Sequence, residues 1–278
     1  MDTRLQHAII TLRSRISLFK STYKGCSGCI LVIGGCDYYT GAPYFVAMSA
    51  LLTGSELVYI FTMPGAITSL KTLLPEAIVC RIKCHEWILN RITACVVGSG
   101  LGRPESHVCS EIAKILAYLD KRNVPIVVDA DAIFLSASLG IQALTTKIFT
   151  PNASEQRHIR ISDNDTFYVM KGSTDLIKWN DVQIEINEKG SPKRIGGQGD
   201  ILAGVIASLI SKCSSPISHI DAMASIYLGC TLVRKAAHIA YQKHWKTVIT
   251  RNIIDALKDT FILQFGLHSS NPPNPLDI

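Results

Sequence analysis

A chain of 278 residues is long enough for one large α/β domain or two small ones, and 47% apolar against 18% charged residues exclude a disordered polymer. The net charge of +6 is spread along the chain with no basic block, which argues against nucleic acid and suits a small anionic ligand. Nine cysteines, odd in number and mostly inside apolar runs, do not make a disulfide framework, so a reducing compartment such as the cytoplasm is expected.

The chain opens with Leu5, Ile9, Leu12 and Ile16 at intervals of three to four, the period of an amphipathic helix docked on a domain. Arginines at 4, 13 and 15 with a single acid also fit a mitochondrial targeting segment, but the helix leaves little sequence ahead of it for a cleavable signal. No apolar run reaches the roughly 18 residues a membrane helix needs. Cys26 and Cys29 have CxxC spacing, with Cys80 and Cys84 further on. Because Cys29 opens an apolar run and Cys80 closes one, buried small side chains are the better reading than zinc, and no metal ligand is assigned.

Strand-like and helix-like runs then alternate: strand 29–35, helix 42–53, strand 56–61, helix 65–73, strand 77–81, helix 84–91 and strand 94–97. Helix 105–119 has the cleanest apolar face, and strand 125–128, helix 131–138 and strand 147–149 complete the series. Such alternation predicts βαβ crossovers and a parallel sheet covered on both faces. After Pro151 the texture changes to short strands at 168–170, 174–177 and 182–186, as in an antiparallel edge. Helices follow from 201 to 210, over 217–242 and over 250–264, while the proline-rich 268–278 reads as a loose tail. No linker or repeat interrupts the chain, so a single domain is expected over 1–278.

Ligands of open parallel sheets bind beyond the carboxyl ends of the strands. Gly34-Gly35, Gly98 to Gly102, Asp129 to Asp131 and Thr150 to Asn152 each follow an expected strand directly and would share one rim. In Gly196-Gly197-Gln198-Gly199-Asp200 the glycines permit close backbone approach, and the following helix start offers free N–H groups to an anion. The plainer alternative is a glycine turn with Asp200 as N-cap. Lys171-Gly172 and Lys193-Arg194 can add cations to the same place, and no Walker-type loop is present. Asp129 and Asp131 either hold Mg²⁺ through water or serve turn and cap chemistry.

Six segments carry a family resemblance: 24–62 with its YTGAP run, VVGSGLGR (96–103), PIVVDADAIFL (125–135), IFTPNASE (148–155), KGSTDLI (171–177) and GSPKRIGGQGDILAG (190–204). In this order the chain resembles the ATP- or ADP-dependent NAD(P)H-hydrate dehydratases of the ribokinase-like superfamily. The resemblance implies a three-layer αβα domain with a mostly parallel sheet. It also implies repair of NADHX or NADPHX, the hydrated and redox-dead dinucleotides, in which ATP or ADP with Mg²⁺ phosphorylates the ring hydroxyl and elimination of phosphate follows.

By position, the resemblance assigns the nucleotide to Lys171, Gly172, Ser173, Thr174 and Asp175 and to Ser191, Pro192, Lys193, Arg194, Ile195, Gly196, Gly197, Gln198 and Gly199. The hydrate falls to Gly100, Gly102, Asn152, Ala153, Ser154, Glu155, Gln156, Arg157 and His158, with Asp200 at its reacting end as the catalytic residue. Partners are these small molecules, with no nucleic acid or membrane, and a homo-oligomer is compatible with the sequence. A ribokinase-like small-molecule kinase and a non-catalytic nucleotide-binding protein are the alternatives. The chain departs from the family at Ser99, Ala132 and Gln156, and only about nine residues, 161–169, join the Asn152 segment to the next strand. A helical layer near the hydrate is therefore expected to be reduced.

Overall fold

A computed structural model describes residues 2–17, 25–159 and 166–266. The tail expected at 268–278 and most of the connector after the Asn152 segment, residues 160–165, lie outside the described residues.

Nine strands form one sheet in the order β3-β2-β1-β4-β5-β6-β7-β8-β9. The parallel part comprises β1 (Cys29–Ile33), β2 (Leu57–Thr62), β3 (Ile78–Arg81), β4 (Ala94–Val97), β5 (Ile126–Val128), β6 (Lys147–Phe149) and β7 (Thr166–Met170). An antiparallel edge is added by β8 (Asp175–Trp179) and β9 (Val182–Ile186). The apolar runs sort by alternate residues: Ile30, Val32, Val58, Ile60, Val96 and Val127 enter one core, and Leu31, Ile33, Tyr59, Phe61, Val97 and Val128 the other. Two buried faces explain why β1 and β2 are apolar throughout rather than alternating.

The first face is covered by α1 (Thr3–Ser17), α2 (Gly41–Leu52), α3 (Ile67–Leu73), α7 (Gln198–Ile210), α8 (His219–His244) and α9 (Thr250–Phe265). The second is covered by α4 (Glu86–Leu89), α5 (Ser106–Asp120) and α6 (Asp131–Phe134). The sheet with a helical layer on each side is the expected αβα sandwich. α1 docks through Leu5, Ala8, Ile9 and Leu12, mainly on α8.

Two helices are shorter than their apolar periods predict. α6 stops at Phe134, because Ser136 and Ser138 are weak helix formers and Gly140 turns left-handed with φ 65°. α4 keeps only the turn Glu86–Leu89, the segment before it being held by the Glu111 carboxylate on the Cys84 N–H.

Strand order reverses at β1 and β4: the chain goes outward to β2 and β3, then returns to continue through β4 on the other side. Crevices of parallel sheets open at such points. α7 packs against α2 and α8 and crosses over β4 and β5, which brings its N-terminus to this rim.

Candidate active site

The GGQGD run forms the left-handed entry to α7. Gly197 has φ 90° and the helix runs from Gln198, so Asp200 sits in the first turn rather than at the cap. A β-carbon on Gly197 would lie 2.9 Å from both Phe45 and Thr250, so only glycine fits there without displacing them. Phe45 belongs to the YTGAPYF run and lies in the second turn of α2, while Thr250 starts α9 and donates its hydroxyl to the Gly196 carbonyl. The two most suggestive stretches of the sequence thus meet in one contact, between Phe45 and Gly197, that fixes the turn. The first N–H groups of α7 have no intrahelical acceptor and face the rim with the positive end of the helix dipole.

A charged cluster lies at that N-terminus. Asp129, buried after β5, accepts from Thr150 Oγ1 at 2.6 Å, from Lys171 Nζ at 2.9 Å and from Ser99 Oγ at 3.1 Å. The chain turns sharply after it, since Ala130 holds φ 46°, a conformation that L-residues rarely adopt and that separates Asp129, facing inward, from Asp131 at the start of α6. Lys171 follows β7, and its N–H bonds the Pro151 carbonyl. A β-carbon on Gly199 would come within 2.9 Å of Lys171 Nζ. The ammonium therefore stands over the first turn of α7, at the place where a phosphoryl group on the helix N–H groups would sit.

Burial alone would discharge both members of the ion pair, but each stabilises the other. The Lys171 ammonium and the hydroxyls of Thr150 and Ser99 hold Asp129 below the usual carboxylate range. Asp129 above all, with Glu155 and Asp200, keeps Lys171 charged beyond its ordinary pH. Asp200 behaves differently. Burial, reinforced by the Asp129 charge, pushes its carboxyl up to about 7 against the opposing pull of Lys171 and a Ser99 hydrogen bond. One carboxylate is locked ionised and its neighbour is poised near neutrality.

Beside the cluster opens a cleft of about 1050 Å³. Its walls include Asn152, Ala153, Glu155, Lys171 to Asp175, Ser191 to Asp200, Arg234, His238 and Tyr241 from α8, and Trp245 just after it. All residues expected to hold a nucleotide line this one space. Their side chains differ in role. Asp175 accepts from the Gly172 N–H at 3.1 Å and pairs with Arg234 at 3.2 Å. Ser191 bonds the Lys193 backbone, and Lys193 Nζ donates to the carbonyls of Lys246 and Val248 at 2.9 and 2.7 Å. Arg194 is exposed and Ile195 accepts from the Gln198 N–H. These segments offer the cleft mostly backbone.

The residues expected to meet the hydrate divide. Asn152 Oδ1 accepts from the N–H groups of Ser154 and Glu155, and Glu155 Oε2 accepts from the Asn152 N–H at 2.9 Å, a reciprocal cap that builds the short turn Glu155–His158. Gln156, Arg157 and His158 do not line the cleft, and neither do Gly100 and Gly102. A β-carbon on Gly100 would touch Tyr39 and Ala42, and the Gly102 N–H donates to Asp131 at 2.7 Å. Asp200 lines the cleft, while Ser99, fully buried, reaches the cluster through its bond to Asp129.

Arg234 is the residue that sequence patterns do not reveal. Its Nε donates to the Glu188 carbonyl at 2.6 Å and its Nη2 to the Ser173 carbonyl, while its Nη1 pairs with Asp175. One guanidinium so ties the β7–β8 turn to the loop after β9. Its signal was a lone arginine on the apolar face Leu232, Val233, Ala236, Ala237. Among the described residues no three His, Cys, Asp or Glu side chains gather as a metal site. The carboxylates of Asp129 and Asp131 are taken by Lys171 and by Gly102 and Arg103.

Comparison with known proteins places this geometry. A family model described as NAD(P)H-hydrate dehydratase matches residues 30–259. The chain belongs to the NAD(P)H-hydrate dehydratase family. A curated relative from Ciona intestinalis, named ATP-dependent (S)-NAD(P)H-hydrate dehydratase, is 33% identical and aligns over 91% of this chain and 78% of its own. The Homo sapiens protein of the same name is 30% identical over 90% of this chain and 82% of its own. Among solved structures, a hypothetical protein from Streptococcus mutans superposes with a TM-score of 0.77 at 21% identity, covering 92% of this chain and 98% of that one. The ADP/ATP-dependent NAD(P)H-hydrate dehydratase of Bacillus subtilis, co-crystallised with ATP and Mg²⁺, superposes with 0.73 at 18% identity over 92% and 97%. A hydroxyethylthiazole kinase from Pyrococcus horikoshii shares the fold at 0.58 and 12% identity. The dehydratase family thus sits on the ribokinase-like scaffold.

Proposed function

We propose that this chain uses ATP to dehydrate (S)-NADHX and (S)-NADPHX, restoring NADH and NADPH. The observation that carries the reading is Asp200. A carboxyl with its pKa raised to about 7 stands in the first turn of α7, beside an ammonium and against helix N–H groups. A base must titrate near working pH to accept a proton efficiently, and burial with Asp129 provides that tuning.

In this reading ATP lies in the cleft with its terminal phosphate on the α7 N–H groups and Lys171. Asp200 takes the proton of the hydrate's ring hydroxyl as that oxygen attacks the phosphoryl group, and ADP departs. Lys171 and the N–H groups meet the charge that develops on the transferring oxygens. The ring nitrogen then pushes its lone pair toward the neighbouring carbon, the carbon–oxygen bond breaks with phosphate as leaving group, and loss of the adjacent C–H proton closes the double bond. Hydroxide would be a far poorer leaving group than phosphate. The described carboxylates do not form a cage for magnesium, so Mg²⁺ is best read as travelling on the nucleotide phosphates with its waters, as this cation commonly does. The ATP choice is supported by the names of the relatives.

Chemically prepared NADHX with ATP and magnesium should regain the near-ultraviolet absorbance of the dihydronicotinamide and release one phosphate per turnover. Asp200→Asn should lower kcat by about a hundredfold or more while ATP still binds. A wild-type protein that binds both molecules yet restores no absorbance would refute the reading. Release of a stable phosphorylated product would point to a kinase instead.

A further inference from the structure

Outside the cleft, the end of the Gly98–Gly102 loop carries a group that the reaction just described does not use. Arg103 follows the Gly98–Gly102 loop, and its Nη1 donates to the Gly102 carbonyl at 3.1 Å and to Asp131 at 2.8 Å. Its guanidinium lies 5.5 Å from the centre of the Phe134 ring, and that ring packs against His158 with centroids 4.8 Å apart and planes tilted by 59°. Arg103, Phe134 and His158 form a ladder joining the two segments assigned to the hydrate.

Stability does not account for the ladder. The Arg103 side chain is 66% exposed, and an ion pair that open adds little. Phe134 remains 42% exposed although its neighbours Ala132 and Ile133 are buried in the core. The Asp131 bond instead serves to aim the guanidinium. It occupies Nη1 and leaves the donors on Nε and Nη2 for an anion. Arg103 lies four positions after Ser99, whose hydroxyl bonds Asp129 in the charged cluster, so the Cα atoms of the two residues are at most about 14 Å apart. With the nucleotide in the cleft, the Gly98–Gly102 loop is the neighbouring element on which a dinucleotide with its hydrated ring at Asp200 can lay its phosphates.

We propose that Arg103, aimed by Asp131 and backed by Phe134, binds a phosphate of the hydrated dinucleotide and sets its affinity. The inference rests on the dehydratase reading, and the shared chemistry, phosphate on a guanidinium, covers both the pyrophosphate common to the two hydrates and the extra ribose phosphate of NADPHX. The test is Arg103→Gln, a change at an exposed side chain, with Phe134→Leu as a second variant. Steady-state kinetics at saturating ATP should show KM for the hydrates raised roughly tenfold or more by Arg103→Gln, with kcat and the KM for ATP held. An equal rise for both hydrates assigns the pyrophosphate, and a rise confined to NADPHX assigns the ribose phosphate. Phe134→Leu should give a smaller rise in the same parameter. An unchanged KM for both hydrates, or a loss of kcat alone, overturns the proposal. Binding of NADPH, followed by its own fluorescence, separates the two readings. If wild type turns nothing over, weaker NADPH binding in Arg103→Gln still supports this site, whereas equal binding, or none in wild type, overturns it.

Discussion

A carboxyl whose pKa is raised from 3.8 to about 7 by burial and by Asp129 keeps a proton in the folded chain that the unfolded chain releases. Between those two values the native state binds more protons, so this group's contribution to stability falls as pH rises through the window and stays low above it. Asp200→Asn removes the titration and with it the penalty. Thermal unfolding at about pH 8 should therefore show the variant more stable than wild type, by on the order of 4 kcal/mol. The gain should shrink as pH is lowered toward 4, where both forms are neutral at this position. A variant that is less stable at every pH would mean that Asp200 is stabilised as an anion, contrary to its placement. The same physics makes kcat rise with pH through about 7, since the base works only when ionised. Tuning for chemistry and cost in stability are here one property of one side chain.

At the scale of elements, the cleft depends on α8 as much as on the glycine turn. Arg234 holds three backbone or side-chain oxygens from two segments, and none of its groups is solvent-facing enough to be replaced by water without cost. Arg234→Met should destabilise by about 3–5 kcal/mol, because Asp175 is left buried without its partner. The double variant Arg234→Met with Asp175→Asn should regain much of that stability in urea unfolding. ATP affinity by calorimetry should stay at least tenfold weaker in both, since neither ties the Ser173 turn to the Glu188 loop. Recovery of ATP binding in the double variant would show that the ion pair matters only for folding. This element also marks the boundary of what the sequence discloses. Strand and helix periods reveal β1 to β6 and α5 because both faces of the sheet are buried, and the glycine turn reveals the start of α7. Pairing between Asp129 and Lys171, 42 residues apart, leaves no local period, and neither does the reach of Arg234 across to two loops. α6 misleads for the opposite reason: its apolar pattern is helical, but serines and a left-handed Gly140 end it after one turn.

Taken as a whole, the molecule separates the residues that hold it together from those that act. Its two cores lie on opposite faces of the sheet, and the charged cluster occupies only the rim where β4, β5, β6 and β7 end. α1 belongs wholly to the first part: Leu5, Ile9 and Leu12 are buried where it packs, mainly on α8, and none of them lines the cleft. Leu12, 2% exposed, should cost about 2–5 kcal/mol when cut to alanine, from lost burial and the cavity left behind. If α8 transmits no strain to its cleft side, the folded fraction of Leu12→Ala should keep the wild-type KM for ATP and kcat. Saturating ATP at about a hundred times its Kd should then raise the stability of this variant and of wild type alike, by about 2.7 kcal/mol. Differential scanning measurements with and without ATP decide the matter. Equal shifts confirm that α1 staples the fold without touching the site; a smaller shift in Leu12→Ala would show that docking of α1 sets the position of α8 and, through Arg234, the shape of the nucleotide cleft.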